Sequence, residues 1–321
     1  MLMLICGIFA GCADAKNKTD NGKISIVSTV FPQYDWTRQI LGDFDGAELS
    51  MLIDTSSDIH SFEPTADDII KIADCDMFIY IGGQSDKWVE DALKSAVNKD
   101  MIVINLMEVL GDSAKHEETV EGMQHTHEHD ENCEGEHLHE NNGVYDEHIW
   151  LSLKNAKICS EYICSQLCLL APEQKASFEA NLDAYLKSLD TLDNEYTQYF
   201  NDIGDKKLLF ADRFPFLYLA NDYSFEYYAA FSGCSSESEA SFETITFLAK
   251  KLDDENINSV FTIENSNCNI ANTVINAAQK NDVQILTLDS MQSSANGYIE
   301  NNKTYISVME DNLNVLKNAP F

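Results

Sequence analysis

Residues 173 to 203, EQKASFEANLDAYLKSLDTLDNEYTQYFNDI, contain neither glycine nor proline. Within them Phe178, Leu182, Leu186, Leu189, Leu192, Tyr196 and Phe200 recur at helical spacing. At 1.5 Å per residue such a helix is on the order of 45 Å long, enough to run the length of a small protein. It leaves a separate half of the chain on either side.

The two halves read alike. ISIVSTVFPQYDWTRQI gives a β-branched strand, a turn at Phe31 and Pro32, then a helix; KLLFADRFPFLYLANDY gives the same order with Phe214 and Pro215 at the turn. In each half a later helix precedes an apolar strand, DMFIYIGG in one and NSVFTIEN in the other. AELSMLI and MIVINL add strands to the first half. TADDIIKIADC reads as a helix with Thr65 as N-cap and an acid three residues on. Strands alternating with helices specify parallel α/β architecture. The expected fold is therefore α/β: two similar parallel-sheet lobes joined by one rigid linking helix, with a cleft where strand ends meet. The boundaries expected are a signal and tether at 1–22, an N-terminal lobe at 23–170, the linking helix at 171–204 and a C-terminal lobe at 205–321.

From Gly111 to about Gly143 the composition collapses into His, Glu, Asp, Asn and Gly, and the segment at 112–143 reads as a disordered, mobile insertion with almost nothing to bury. At the other end of the scale, MLMLICGIFAG is an apolar run too short to span a bilayer, for which roughly 20 residues are needed. It suits a secretory signal. Its FAGC ending resembles a bacterial lipoprotein signal, which implies lipidation at Cys12 and an extracytoplasmic, membrane-anchored location.

With 54 acids against 21 bases, a formal −33, the surface repels nucleic acid and concentrates cations; the same charge also serves solubility. Of the nine cysteines, Cys6 and Cys12 belong to the export segment, and Cys159, Cys164 and Cys168 fall on one helix as packing residues. No zinc-knuckle spacing occurs, and a Cys234–Cys268 bridge is left open.

Five of the eight histidines lie in HTHEHDENCEGEHLH: His125, His127, His129, His137 and His139. His116 precedes them in the same insertion. These donors are dense but unpositioned, and accessory, fast-exchanging zinc binding is expected of them. His60, in DIHSFEPT, and His148, in DEHIWLSLKNA, sit instead where loops meet strands and helices, off any apolar helix face.

With those two segments, ADCDMFIYIGGQSDKW, the long helix and ILTLDSM, nearly everything from Lys23 onward resembles the solute-binding lipoproteins of bacterial zinc and manganese ABC importers. That resemblance implies a monomer that is not an enzyme and hands its ion to an ABC permease. It implies metal ligands at His60 and His148, with Asp289 of LTLDSM completing the site. One position departs. The family's third ligand, a histidine or glutamate, falls at Arg213, and a guanidinium cannot coordinate a cation. Asp212 substitutes for it, or Glu264 of FTIEN reaches in, or water fills an open position. Imidazoles with carboxylates suit Zn2+, with Mn2+ the alternative if more oxygens join, and no thiolate is expected in the site. Two other functions stand beside ion capture. One is an adhesin or extracellular metal buffer centred on the histidine-rich stretch. The other is a zinc hydrolase, which the absence of HExxH and GxSxG disfavours.

Overall fold

The computed structural model describes residues 22–54, 57–124, 144–203, 207–235, 239–280, 282–294 and 297–320. Two four-stranded sheets, parallel throughout, are built from β1 (Ile24–Ser28), β2 (Ala47–Met51), β3 (Met77–Tyr80) and β4 (Ile102–Asn105), and from β5 (Lys207–Phe214), β6 (Glu226–Ser232), β7 (Ser259–Ile263) and β8 (Gln284–Leu288). Their orders are β2-β1-β3-β4 and β6-β5-β7-β8, the same topology twice. In each, the chain reverses its march across the sheet after the second strand. The loops at the carboxyl ends then diverge and leave a crevice.

Helices α1 (Phe31–Leu41), α2 (Ala66–Asp74), α3 (Val89–Lys94) and α4 (Leu106–Leu110) belong to the first sheet, followed by α5 (Leu153–Leu170) and the linking helix α6 (Lys175–Asp202). α7 (Leu217–Tyr223), α8 (Phe242–Asp254), α9 (Asn269–Ala277) and α10 (Tyr305–Asn318) follow in the second half. The Thr65 hydroxyl accepts from Asp68 N while the Asp68 carboxylate accepts from Thr65 N, so the capping box expected at α2 forms. α6 buries Phe178, Tyr185, Leu189, Leu192, Tyr196 and Phe200, whereas Leu182 and Leu186 only border the core.

One continuous apolar core runs from Ile26 and Phe78 through α6 into Phe210 and Phe261; a smaller one, with Leu209, Leu248, Val260 and Val274, backs the second sheet. The segment leading into α10 crosses back to the first lobe. Tyr298 stacks on Phe31 at 4.3 Å, Tyr305 N donates to Asp35 Oδ2 at 2.7 Å, and the Tyr305 hydroxyl donates to Trp150 O at 2.6 Å. Asp35 is fully buried and also takes the Arg38 guanidinium; burial pushes its pKa up even though Arg38 pulls the other way. The lobes are thus tied by a shared core and by a buried charge as well as by the long helix.

Part of the stretch expected to be mobile is built into this frame. Lys115 N donates to the Tyr218 hydroxyl at 3.0 Å, Gln124 N donates to Ala230 O at 2.9 Å, and Met123 is buried. Val120 and Met123 give residues 111–124 an apolar anchor that the average composition hid. Residues 125–143 lie outside the described residues, and with them His125, His127, His129, His137 and His139; Cys12 lies outside them as well. Cys234 and Cys268 are both free thiols, so the bridge left open by the sequence is not formed. No helix among the described residues is long and apolar enough to cross a membrane.

Candidate metal centre

The residues singled out in the sequence come from the carboxyl ends of strands. His60 sits in a short turn, Ile59–Ser61, after β2, where Asp58 caps the turn by accepting from His60 N at 2.9 Å. His148 follows the insertion after β4, and its own backbone N donates to Asp146 Oδ1 at 2.8 Å. Their rings meet with the Nε2 atoms 3.1 Å apart.

Each imidazole is held from behind. His148 Nδ1 lies 2.9 Å from Asp146 Oδ1; a carboxylate only accepts, so Nδ1 carries the proton and the Nε2 lone pair faces the cleft. His60 Nδ1 lies 2.8 Å from Ser85 Oγ and 3.9 Å from Glu147 Oε2, a buried oxygen with no hydrogen-bond partner. Ser85 is in place because of the paired glycines of IGGQSD. Gly82 and Gly83 take φ of +94° and +90°, which L side chains rarely adopt, and a Cβ on Gly83 would come within 2.6 Å of Glu147 Oε1. Without one, the backbone N–H groups of Gln84 and Ser85 both reach that oxygen. The Asp86 carboxylate closes the same loop on Ile81 N and Gly82 N, and burial pushes its pKa up to about 7.

Burial, and then the charge of His148, take the His60 pKa down to about 3, so this imidazole is neutral and ready to coordinate. For His148 burial also disfavours protonation, but the Asp146 carboxylate outweighs it and the pKa rises. Two neutral imidazoles so placed point lone pairs at each other, an arrangement relieved by a proton or by a cation between them. Two nitrogens bound to one tetrahedral zinc lie about 3.3 Å apart, close to the spacing seen.

The second lobe behaves differently. Arg213, at the position of the missing ligand, forms an ion pair across the cleft with Asp58 Oδ2 at 2.7 Å. Its charge lowers the Asp58 pKa against the opposing effect of burial. Asp212 and Glu264 line a cavity of about 390 Å³ next to His60, together with Asp58 and Arg213. Neither enters the group of donor atoms around the histidines, and Asp289 does not either. Their oxygens are engaged: Asp212 Oδ1 accepts from Arg213 N at 2.9 Å, and Glu264 accepts from Ser290 N, Ser290 Oγ and Gln292 N. Asp289 Oδ1 accepts from Met291 N and the Tyr298 hydroxyl. Burial and the neighbouring Asp289 charge raise the Glu264 pKa to about 7, which makes it a poor anion at neutral pH.

The donor that does join the histidines is Cys234. Its Sγ and the two imidazole nitrogens lie within 4.8 Å of one another. This departs from the expectation of a site without thiolate. The sequence offered no motif spacing for Cys234; its one signal was position, a residue past the end of a strand in a lobe that repeats the first. His116 also lies apart, stacked on Tyr145 at 4.3 Å.

Comparison with known proteins points the same way. Residues 26–319 match the family described as zinc-uptake complex component A, periplasmic. The chain is 30% identical over 322 residues to the zinc-binding protein AdcA of Streptococcus pyogenes, covering 99% of this chain and 60% of that protein. It is 27% identical to the high-affinity zinc uptake system protein ZnuA of Bacillus subtilis, covering 99% of this chain and 94% of that one. Among solved structures, the Zn(II)-bound ZnuA-like domain of Streptococcus pneumoniae AdcA superposes with a TM-score of 0.70 at 28% identity, over 93% of this chain and 99% of the domain.

Proposed function

The chain belongs to the zinc-uptake complex component A family, and from that premise we propose that it captures Zn2+ between its lobes and passes it to the permease of an ABC importer. His60 and His148 are the ligands. The observation that carries this reading is the pair of Nε2 atoms facing each other at 3.1 Å, each ring fixed through its Nδ1. Imidazole donors favour Zn2+ over Mn2+, which prefers oxygen. Asp212 and Glu264, which line the cavity with His60, are the acids placed to adjust around an ion if their present hydrogen bonds give way, and Asp289 would join them as the family resemblance implies.

The protein works as a monomer anchored outside the membrane through a lipid on Cys12, and its task is reversible binding without turnover. The histidines at 125–139 gather further ions loosely near the cleft. Calorimetric zinc titration tests this. Deleting residues 125–143 should leave one tight site and remove weaker binding; His60→Ala and His148→Ala should each weaken the tight site by more than about a hundredfold, beyond what losing an orienting neighbour costs. A tight site that disappears with residues 125–143 and survives both alanine variants would assign the function to that stretch, as a metal buffer.

A further inference from the structure

We propose that the Cys234 thiolate is the second lobe's ligand to the captured ion. It completes a His60–His148–Cys234 triangle that selects thiophilic divalent cations over Mn2+. The inference rests on the capture reading above and supplies the donor that Arg213 cannot.

The geometry comes first. With zinc–sulfur at about 2.3 Å and zinc–nitrogen at about 2.0–2.1 Å, sulfur and nitrogen on one tetrahedral ion lie about 3.6 Å apart. The three donors lie within 4.8 Å of one another, so an inward shift of at most about 1 Å closes the triangle. The fold aims Cys234 there. β6 ends at Ser232, and a Cβ on the next residue, Gly233, would come within 3.0 Å of His148 Cε1 and 2.9 Å of Phe214 O. Only glycine lets this turn lie so close against the imidazole. Cys234 N then donates to Glu117 Oε1 at 3.0 Å, which fixes the turn from the side of residues 111–124.

The surroundings suit a cation. Asp146, Glu117 and Glu147 place negative charge about Cys234, and Cys268 stays a separate free thiol. With burial, those carboxylates keep the lone thiol protonated and unreactive, its pKa well above the usual value. A divalent ion inverts that balance: the metal–sulfur bond forms as the S–H bond breaks, the proton passes to bulk water, and no electron is transferred. Arg213 meanwhile is held by the Asp58 carboxylate, which offsets its charge. His60 also borders the cavity lined by Asp58, Asp212 and Glu264.

Cobalt(II), added at one equivalent to the full chain, is the probe. The wild type should show an intense thiolate-to-cobalt charge-transfer band in the near ultraviolet. Cys133 lies in the histidine-rich stretch, so Cys133→Ser is the control and should keep the band. Cys234→Ser should lose it and bind zinc at least about a hundredfold more weakly. Cys234→Asp, which replaces a soft donor by a hard one, should cut the preference for Zn2+ over Mn2+ by about tenfold or more. X-ray absorption at the zinc edge of the wild type, which does not depend on a variant folding, should show a sulfur scatterer at about 2.3 Å. Tight cobalt binding without the band, a band lost in Cys133→Ser but kept in Cys234→Ser, or a zinc shell without sulfur would each overturn the thiolate and leave ion capture standing. Failure to bind either ion at one equivalent would overturn the capture reading and this inference together.

Discussion

The two lobes share one topology and put it to opposite chemical uses. At the strand ends of the first lobe, polar groups hold the two imidazoles: Asp146 behind His148, Ser85 and Glu147 behind His60, and a double glycine behind those. At the matching ends of the second lobe, the charged residues pair across the cleft or bind their own loops. Arg213 takes Asp58, Glu264 takes Ser290 and Gln292, and Asp289 takes Met291 and Tyr298. The first lobe holds two imidazoles in place, while the second contributes a single thiol beside them and an ion pair across the cleft. A shared scaffold fixes where loops converge, and the identity of a few loop residues decides what the convergence does.

If the lobes act as one body around this centre, cutting the tie between them should cost the whole fold. Asp35→Ala removes the Arg38 guanidinium's carboxylate, leaving it the Lys303 carbonyl, and leaves Tyr305 N without its acceptor. Arg38 is one-third exposed, so we expect a loss of about 2–3 kcal/mol, below the full cost of breaking a buried pair, in a single urea transition. Two separated transitions would show that the lobes unfold independently.

The next test asks whether the first lobe's rigidity matters for affinity. Asp146→Asn removes the charge that orients His148 and raises its basicity, and zinc affinity should fall about 10- to 100-fold with stability little changed. An unchanged affinity would mean that the ring is positioned by packing against Trp150 alone, 5.4 Å away.

Protons should compete unequally at the two rings. His148, with its pKa raised, takes up a proton while the pH is still above the ordinary histidine value, whereas His60, lowered to about 3, stays neutral throughout. Protonation opposes coordination, so affinity decreases as pH falls. Between pH 7.5 and 5.5 calorimetry should show a decrease of at least about tenfold. An affinity flat across that range would rule out histidine ligation.

The smallest effect is expected from the second lobe's closure. Arg213→Ala removes a partly exposed ion pair, for which about 0.2–1 kcal/mol is usual, so stability and zinc affinity should shift by no more than that. A loss of tight binding in this variant would promote Arg213 from latch to essential element of the site.

Much of this was legible in the residues. Hydrophobic periodicity announced α6, the strand–FP–helix order announced the repeated lobe, and His60 and His148, read as lying off apolar faces, do come together in the fold. Asp289, Asp212 and Glu264 show what such reading leaves out. Glu264 and Asp289 directly follow strands and Asp212 lies inside β5, and each has an oxygen taken by a neighbouring donor that no spacing reveals. The stretch 111–124 misled for a related reason: Met123 and Val120 anchor it, and a segment average dilutes two apolar residues among many polar ones.

The sequence by itself determined the elements, their alternation, the doubled fold and the two imidazoles, because periodicity and residue type act locally. Only the tertiary structure decided which side chains come together at the cleft. Cys234 and His148 are 86 positions apart in the chain, and it is the absent side chain at Gly233 that lets them meet. Arg213 and Asp58 likewise found each other only when the two sheets closed. A donor set is a property of three-dimensional approach, set by packing across the cleft.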